Sequence, residues 1–218
     1  MIGLHFTTDI IAEIGAQNCS YLSLHVGAGT FKPVMVADAR DHRMHAESFS
    51  VSVWELKSII NAMKSKKDII AVGTTSSRTL ESLFWNGIKK IRGFDAPHPQ
   101  NGLSLGQFDW IPLKSGLGQQ INRVEALEAL IADLDDKDTI DGTTSLMISP
   151  PYYEFQVVDH LVTNFHAPDS TLMLLVSAFI KDPNGLEITK LYEDAQKAGY
   201  RFLSYGDVCF FSKPNAKN

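Results

Sequence analysis

The chain has 218 residues, of which 44% are hydrophobic and 21% charged, a balance that excludes collagen-like, coiled-coil and disordered proteins. Its net charge of −5 argues weakly against nucleic-acid binding, and two cysteines are too few for a disulfide framework or a cysteine-type zinc site. No apolar run is long enough to span a membrane, and the N-terminus has no basic start of a signal peptide. A reducing, cytoplasmic setting is therefore expected.

The pattern of apolar residues predicts alternating helices and strands. Leu22, Leu24 and Val26 alternate with polar residues, as in a strand, whereas Leu56 and Ile60 are spaced as on one helix face. In chain order we expect helix 8–17, strand 21–26, helix 53–64, strand 68–72, helix 78–85, helix 124–134, strand 156–162, helices 171–180 and 186–198, and strands 200–205 and 208–211.

This alternation predicts one α/β domain over residues 1–218, with a parallel or mixed sheet flanked by helices. Residues 93–120 are rich in Gly, Pro and Gln and are expected to form a long loop or insertion, and residues 212–218 a flexible tail. Three polar segments, 25–31, 73–78 and 163–171, follow predicted strands. If those strands are parallel neighbours, the three segments converge on one ligand site.

Two of these segments suit the binding of a nucleoside or an anion. Gly27 and Gly29, followed by Thr30, permit close approach of the backbone to a ligand, although a tight turn is the alternative. A helix starting near residues 74–76 would offer backbone N–H groups to an anion, or Thr75 or Ser76 would simply cap it. Arg78 either serves that site or pairs with Glu81 on the helix surface.

Histidines near strand ends are candidates for acid–base chemistry. His45 and Glu47 point the same way if residues 41–47 are extended, and a histidine beside a carboxylate suits proton transfer near pH 7. A solvated polar loop is the alternative, and the local spacing does not supply the three or four ligands of a zinc site. The other candidates are His5, His25 and His166, with Asn164 beside the last.

Six segments, taken together and in order, resemble the S-adenosylmethionine:tRNA ribosyltransferase-isomerase family of queuosine synthesis. They are GLHFT (3–7), LHVGAGTFKPV (24–34), DHRMHAE (41–47), AVGTTSSRTLES (71–82), VVDHLVTNFHAPDSTLMLLVSAF (157–179) and YRFLSYGDVCFF (200–211).

The resemblance implies transfer and isomerisation of the ribosyl unit of S-adenosylmethionine onto 7-aminomethyl-7-deazaguanine at the tRNA wobble position. The product is epoxyqueuosine-tRNA, and adenine and methionine are released. S-adenosylmethionine is a consumed substrate, so no metal or other cofactor is expected. The family has an α/β and a β-barrel domain. This chain resembles the C-terminal half, with the barrel missing, and is expected to be a monomer in which an uncovered interface favours self-association.

Fitting the residues to this chemistry gives a set of expected roles. His45, oriented by Glu47, is the base that removes a ribose proton, and His166 protonates the departing adenine. The expected substrate-binding residues are His5, His25, Gly27, Gly29, Thr30, Thr74, Thr75, Ser76, Arg78 and Asn164. The alternatives are a nucleoside-binding domain without catalysis, and a histidine-dependent hydrolase or lyase.

Overall fold

The chain is an α/β protein with two mixed β-sheets and flanking helices, in a computed structural model. The structure describes residues 5–27, 41–94, 102–115, 121–136, 138–168, 170–203 and 205–213. The elements are α1 (Thr8–Ile14), β1 (Ser23–His25), β2 (Glu47–Ser52), α2 (Val53–Lys64), β3 (Ile70–Val72), α3 (Thr74–Ile91), β4 (Leu103–Leu105), α4 (Trp110–Ser115), α5 (Arg123–Ile131), β5 (Thr139–Thr144), β6 (His160–Asn164), α6 (Thr171–Phe179), α7 (Leu186–Lys197) and β7 (Val208–Ser212). None of these helices is long and apolar enough to cross a membrane.

The larger sheet has the strand order β1-β2-β5-β4. β1 and β5 run antiparallel to β2, and β4 runs parallel to β5. His25 lies opposite Ser48, and Thr144 lies opposite both Glu47 and Leu105. The carboxyl ends of β1, β5 and β4 therefore meet the amino end of β2 at one end of the sheet.

The smaller sheet has the order β3-β6-β7. β3 and β6 are parallel, with Val72 opposite Val162, and β7 is antiparallel to β6, with Val208 opposite Asn164. The segments that follow β3 and β6 consequently leave the sheet side by side, next to the segment that enters β7.

Helix α3 joins the two sheets. It begins directly after β3 and then crosses the strands of the larger sheet: Arg78 contacts β2, Ser82 contacts β5 and Lys89 contacts β4. These contacts follow the spatial order of the strands, so the helix lies across the sheet. The leucines and aromatic residues of its middle turns are buried in the core.

A buried ion pair fixes the first turns of α3 against the larger sheet. Arg78 is 2% exposed and Glu47 is 1% exposed. Arg78 Nη1 donates to Glu47 Oε2 over 2.5 Å. Burial lowers the pKa of Arg78, and the charge of Glu47 opposes that shift. Because each charge is removed from water, each depends on the other for its stability.

A second buried carboxylate, Glu81, holds the segment that leads into β6. Its Oε1 accepts the N–H groups of Val157 and Val158, and its Oε2 accepts the Gln156 N–H and the Tyr153 hydroxyl. Burial raises the pKa of Glu81, and these hydrogen bonds oppose the rise. Since all four partners donate, they favour the ionised carboxylate. α3 thus anchors one sheet through Arg78 and the approach to the other through Glu81.

The prediction of an α/β fold with a mixed sheet is confirmed. Helix α2 has the predicted bounds, α6 and α7 each end one residue before their predicted bounds, and α3 starts earlier and ends later than predicted. Within the predicted loop 93–120 the structure has a strand and a helix, β4 and α4. The described residues of the predicted strand 200–205 do not form a strand: Leu203 has φ 65 and donates its N–H to the Phe165 carbonyl. Strand β7 includes Ser212, the first residue of the predicted tail.

Replacing one partner of the Arg78–Glu47 pair should strongly destabilise the protein. We expect Glu47→Leu to lower the free energy of unfolding by about 3–5 kcal/mol, because it leaves a buried, unpaired guanidinium. The double variant Glu47→Leu with Arg78→Met should recover most of the loss. Urea unfolding measures the free energy of unfolding of the single and the double variant.

The matched control is Glu128→Leu, which breaks an exposed pair with Lys64. That change should stay within about 1 kcal/mol. A similarly small effect of Glu47→Leu would contradict the role given to the buried pair.

Candidate functional site

The polar segments singled out in the sequence meet at one end of the molecule, although they belong to two sheets. The segments after β3 and β6 are neighbours in the smaller sheet, as predicted. β1 is not their parallel neighbour, so that part of the prediction is wrong: it lies in the larger sheet, antiparallel to β2. The Arg78–Glu47 contact nevertheless brings the amino end of α3 to the end of the larger sheet where β1 finishes and β2 begins.

The amino end of α3 presents backbone donors without a side-chain cap. The N-cap is Gly73, with φ 98, and it makes no side-chain capping bond. Neither Thr75 nor Ser76 caps the helix, because both lie inside its first turn, where the Ser76 hydroxyl donates to the Val72 carbonyl. The N–H groups at the start of this 18-residue helix, beginning at Thr74, therefore form a suitable anion site.

The Arg78 guanidinium is buried and paired with Glu47. The alternative surface pair with Glu81 is not formed, because Glu81 is itself buried and accepts hydrogen bonds from the segment before β6. Glu47 in turn faces α3, whereas His45 is solvent-exposed and lies outside β2. The structure thus gives Glu47 a cation, Arg78, as a partner, and the expected role of His45 as a base oriented by Glu47 stays a prediction.

Gln107 holds the segment that carries His45. Its side-chain carbonyl accepts the Met44 N–H over 3.1 Å, and its side-chain N–H donates to the His42 carbonyl over 2.5 Å. The backbone carbonyl of Gln107 also accepts the Met147 N–H. The side-chain amide of Gln107 thus forms hydrogen bonds with two backbone groups in the segment just before His45. No local sequence pattern indicates these hydrogen bonds, because the partners are more than sixty residues apart.

The segment after β6 is anchored by an aromatic cluster and carries two of the expected residues. Phe165 is buried against Tyr192 and Phe202, with ring centroids 5.1 and 4.8 Å away. On either side of it lie Asn164, which is 7% exposed, and His166. His166 Nε2 is 2.7 Å from Thr163 Oγ1, and the Tyr192 hydroxyl accepts the His166 N–H.

Burial sets the protonation of His166, lowering the pKa of its imidazole to about 4. The ring is therefore neutral near pH 7. Protonation of adenine by His166 would require the ring to take up a proton first, and that expected role stays a prediction. The neutral ring retains one N–H and one acceptor nitrogen, which suit hydrogen bonding to a ligand.

The remaining predicted residues lie in different settings. His5 is part-buried and its Nε2 donates to the Gly206 carbonyl over 2.7 Å, beside the entry to β7. His25 ends β1 on the outer face of the larger sheet, where it lines a groove of about 520 Å³ with Ser48 and Thr143. Gly27 is exposed, and a side chain there would meet nothing within 4 Å. Gly29 and Thr30 lie outside the described residues.

Several buried polar side-chain atoms on or next to the converging segments have no hydrogen-bond partner. Of the seven such side-chain atoms among the described residues, four lie on or next to these segments: His5 Nδ1, Ser77 Oγ, Asn164 Nδ2 and Thr171 Oγ1. A buried donor left unpaired costs about 1–3 kcal/mol. A bound polar ligand would supply the missing partners, and only His5 and Asn164 were singled out from the sequence. Among the described residues no group of three or more His, Cys, Asp or Glu is placed to hold a metal ion.

Comparison with known proteins gives one consistent family. The sequence profile of the queuosine biosynthesis protein family matches residues 1–104 and 118–211. The chain is 38% identical over 213 residues to an S-adenosylmethionine:tRNA ribosyltransferase-isomerase from Finegoldia magna, covering 96% of this chain and 47% of the relative. A relative of the same name from Thermosipho africanus is 36% identical, covering 95% and 47%.

A solved structure agrees with these relatives. The S-adenosylmethionine tRNA ribosyltransferase from Thermotoga maritima matches with a TM-score of 0.56 and 27% identity, over 96% of this chain and 51% of that one. The chain thus spans about half the length of the relatives it matches.

Removing the Gln107 side chain should loosen the segment that carries His45. In Gln107→Ala we expect faster hydrogen exchange at the Met44 amide, because that N–H loses its acceptor. The control is Gln196→Ala on the exposed side of α7. Unchanged exchange at Met44 in Gln107→Ala would show that the amide does not hold this segment.

The buried His166 should make stability depend on pH. Its folded pKa of about 4 lies below the ordinary 6.5, so the unfolded chain binds the proton more readily. Stability is therefore full above pH 6.5 and falls as the pH drops toward 4, by up to about 2–3 kcal/mol. The measurement is the unfolding free energy of wild type and His166→Asn at pH 7 and pH 4.5. Between these pH values wild type should lose more unfolding free energy than His166→Asn. Equal losses in the two proteins would contradict the assignment of this pH dependence to His166.

Proposed function

Because the chain belongs to the queuosine biosynthesis protein family, we propose that it binds S-adenosylmethionine and takes part in ribosyl transfer to tRNA. The acceptor is 7-aminomethyl-7-deazaguanine at the wobble position, and the transferred ribosyl unit isomerises to give epoxyqueuosine with release of adenine and methionine. The observation that carries the proposal is the meeting of polar segments from two sheets, with unpaired buried polar atoms, at one end of the molecule.

The uncapped start of α3 suits the carboxylate of the methionine part of the donor. Backbone N–H groups at Thr74, Thr75 and Ser76 point toward the end of the molecule where the segments meet, and the helix dipole favours a negative charge there. Arg78 acts indirectly in this proposal, because its pairing with Glu47 fixes where the helix begins.

Asn164 and His166 suit the nucleoside part. The Asn164 amide nitrogen is a buried donor without a partner, so a ribose hydroxyl or an adenine nitrogen would satisfy it. The neutral His166 ring adds a hydrogen bond from the same segment. His5, which holds the Gly206 carbonyl with one ring nitrogen and leaves the other unpaired, suits the same ligand.

His45 is the proposed base. The sulfonium of S-adenosylmethionine acidifies the neighbouring ribose 5′ carbon, and removal of that proton permits expulsion of adenine. His45 is exposed at the end where the segments meet, on a backbone fixed by Gln107. An accessible imidazole on a positioned backbone meets the geometric need of a general base.

A second candidate function uses the same polar segments and their unpaired buried atoms: binding of the donor without turnover. Calorimetric titration with S-adenosylmethionine, with adenosine as control, tests the shared part of both candidates. Saturable binding supports a donor site, and its absence in folded protein would contradict both.

Adenine release in the presence of tRNA carrying the deazaguanine acceptor separates the two candidates. We expect release, and we expect His45→Ala to slow it by about 10²-fold or more. The matched control is His42→Ala in the same segment, which should retain activity. Binding without release would leave the second candidate, and undiminished release by His45→Ala would remove His45 from the role of base.

A further inference from the structure

The turn that leads into β7 presents an aromatic side chain to solvent beside the candidate site. Tyr205 is 85% exposed, the highest value among the large apolar and aromatic side chains of the described residues. It precedes Gly206, whose carbonyl is held by His5, and it lies near Val208, which is opposite Asn164 in the sheet. The exposed ring is therefore next to the end of β6 where the nucleoside is proposed to bind.

Hydrogen bonds hold the described residues on both sides of Tyr205, although its ring is exposed. The Gly206 N–H donates to the Leu203 carbonyl over 3.0 Å, and the Asp207 N–H donates to the Arg201 carbonyl over 2.8 Å. The Asp207 carboxylate accepts from both the backbone and the side chain of Arg201. A side chain at Gly206 would lie 2.3 Å from the Arg201 carbonyl oxygen, so only glycine fits there.

The inner side of the same turn is fastened to the core. Phe202 stacks on Phe165, and the Leu203 N–H donates to the Phe165 carbonyl. These contacts hold the backbone before Tyr205 against the core and leave the Tyr205 ring uncovered. A tyrosine side chain has only two rotatable χ angles, so little conformational freedom is lost when a flat partner stacks on its ring.

We propose that Tyr205 is a stacking platform for an unpaired nucleobase of the RNA substrate, next to the site of ribosyl transfer. This inference rests on the proposed function for the identity of its partner. Sequence-specific RNA recognition commonly splays single-stranded bases onto aromatic side chains. A net charge of −5 gives the chain little general attraction for phosphates, so stacking is a suitable source of RNA affinity.

The test measures the affinity of the full chain for a synthetic RNA hairpin that reproduces an anticodon stem and loop. Tyr205→Ala should weaken binding about 5- to 150-fold, the range that follows from loss of one stacked base. Tyr205→Phe should bind like wild type, and Tyr205→Leu, which keeps apolar area but loses the ring, should bind like Tyr205→Ala. The slope of affinity against salt should not change, because no charge is removed.

The matched control is Tyr21→Ala. Tyr21 is 61% exposed and precedes the opposite end of β1, so its loss should leave RNA affinity unchanged. A set of hairpins, each with one loop nucleotide made abasic, then locates the partner base. At that nucleotide the abasic change and Tyr205→Ala should together weaken binding no more than either alone.

Two results would overturn the proposal: no saturable binding of the hairpin by the unmodified chain, or equal weakening by Tyr205→Ala and Tyr21→Ala. Unfolding midpoints of all variants should match wild type, since both side chains are exposed. The donor titration does not involve Tyr205. Tyr205-dependent RNA binding without donor binding would therefore reject the proposed function and leave this inference standing.

Discussion

The buried pair of Arg78 and Glu47 is the contact on which the arrangement of the candidate site depends. It joins α3, which follows β3 of the smaller sheet, to Glu47, the first residue of β2 in the larger sheet. It brings the amino end of α3 to the strand that follows the His45 segment, and the next turn of the helix is held to β5 by Ser82. An ion pair is a poor source of net stability, but it fixes position because neither charge tolerates separation from the other.

This arrangement explains why the residues with the most direct contacts to one another are not those with proposed chemical roles. The hydrogen bonds of Arg78, Glu81 and Gln107 hold other segments of the chain in place. Asn164 and His5 retain unpaired buried atoms, and His45 remains accessible. The division between groups that position and groups that remain free is what a preorganised ligand site requires.

Local pattern was enough to predict the α/β class, the bounds of α2 and the convergence of the segments after β3 and β6. It failed where long-range pairing decides the structure. The polar sequence of β5, TIDGTT, becomes a strand through its pairing with β2, and Gly142 leaves the room that the Phe49 ring occupies. Likewise, folding brings Arg78 to Glu47 from 31 residues away, a pairing that the local sequence around either residue does not indicate.

Hydrogen exchange with and without S-adenosylmethionine tests most directly whether segments of two sheets form one donor site. We expect simultaneous protection of residues 41–47, 73–78 and 163–168, because the proposed donor site includes all three segments. Residues 186–197 of α7 should be unaffected and serve as the internal reference. Protection confined to segments of a single sheet, with binding intact, would show that the two sheets do not share one donor site.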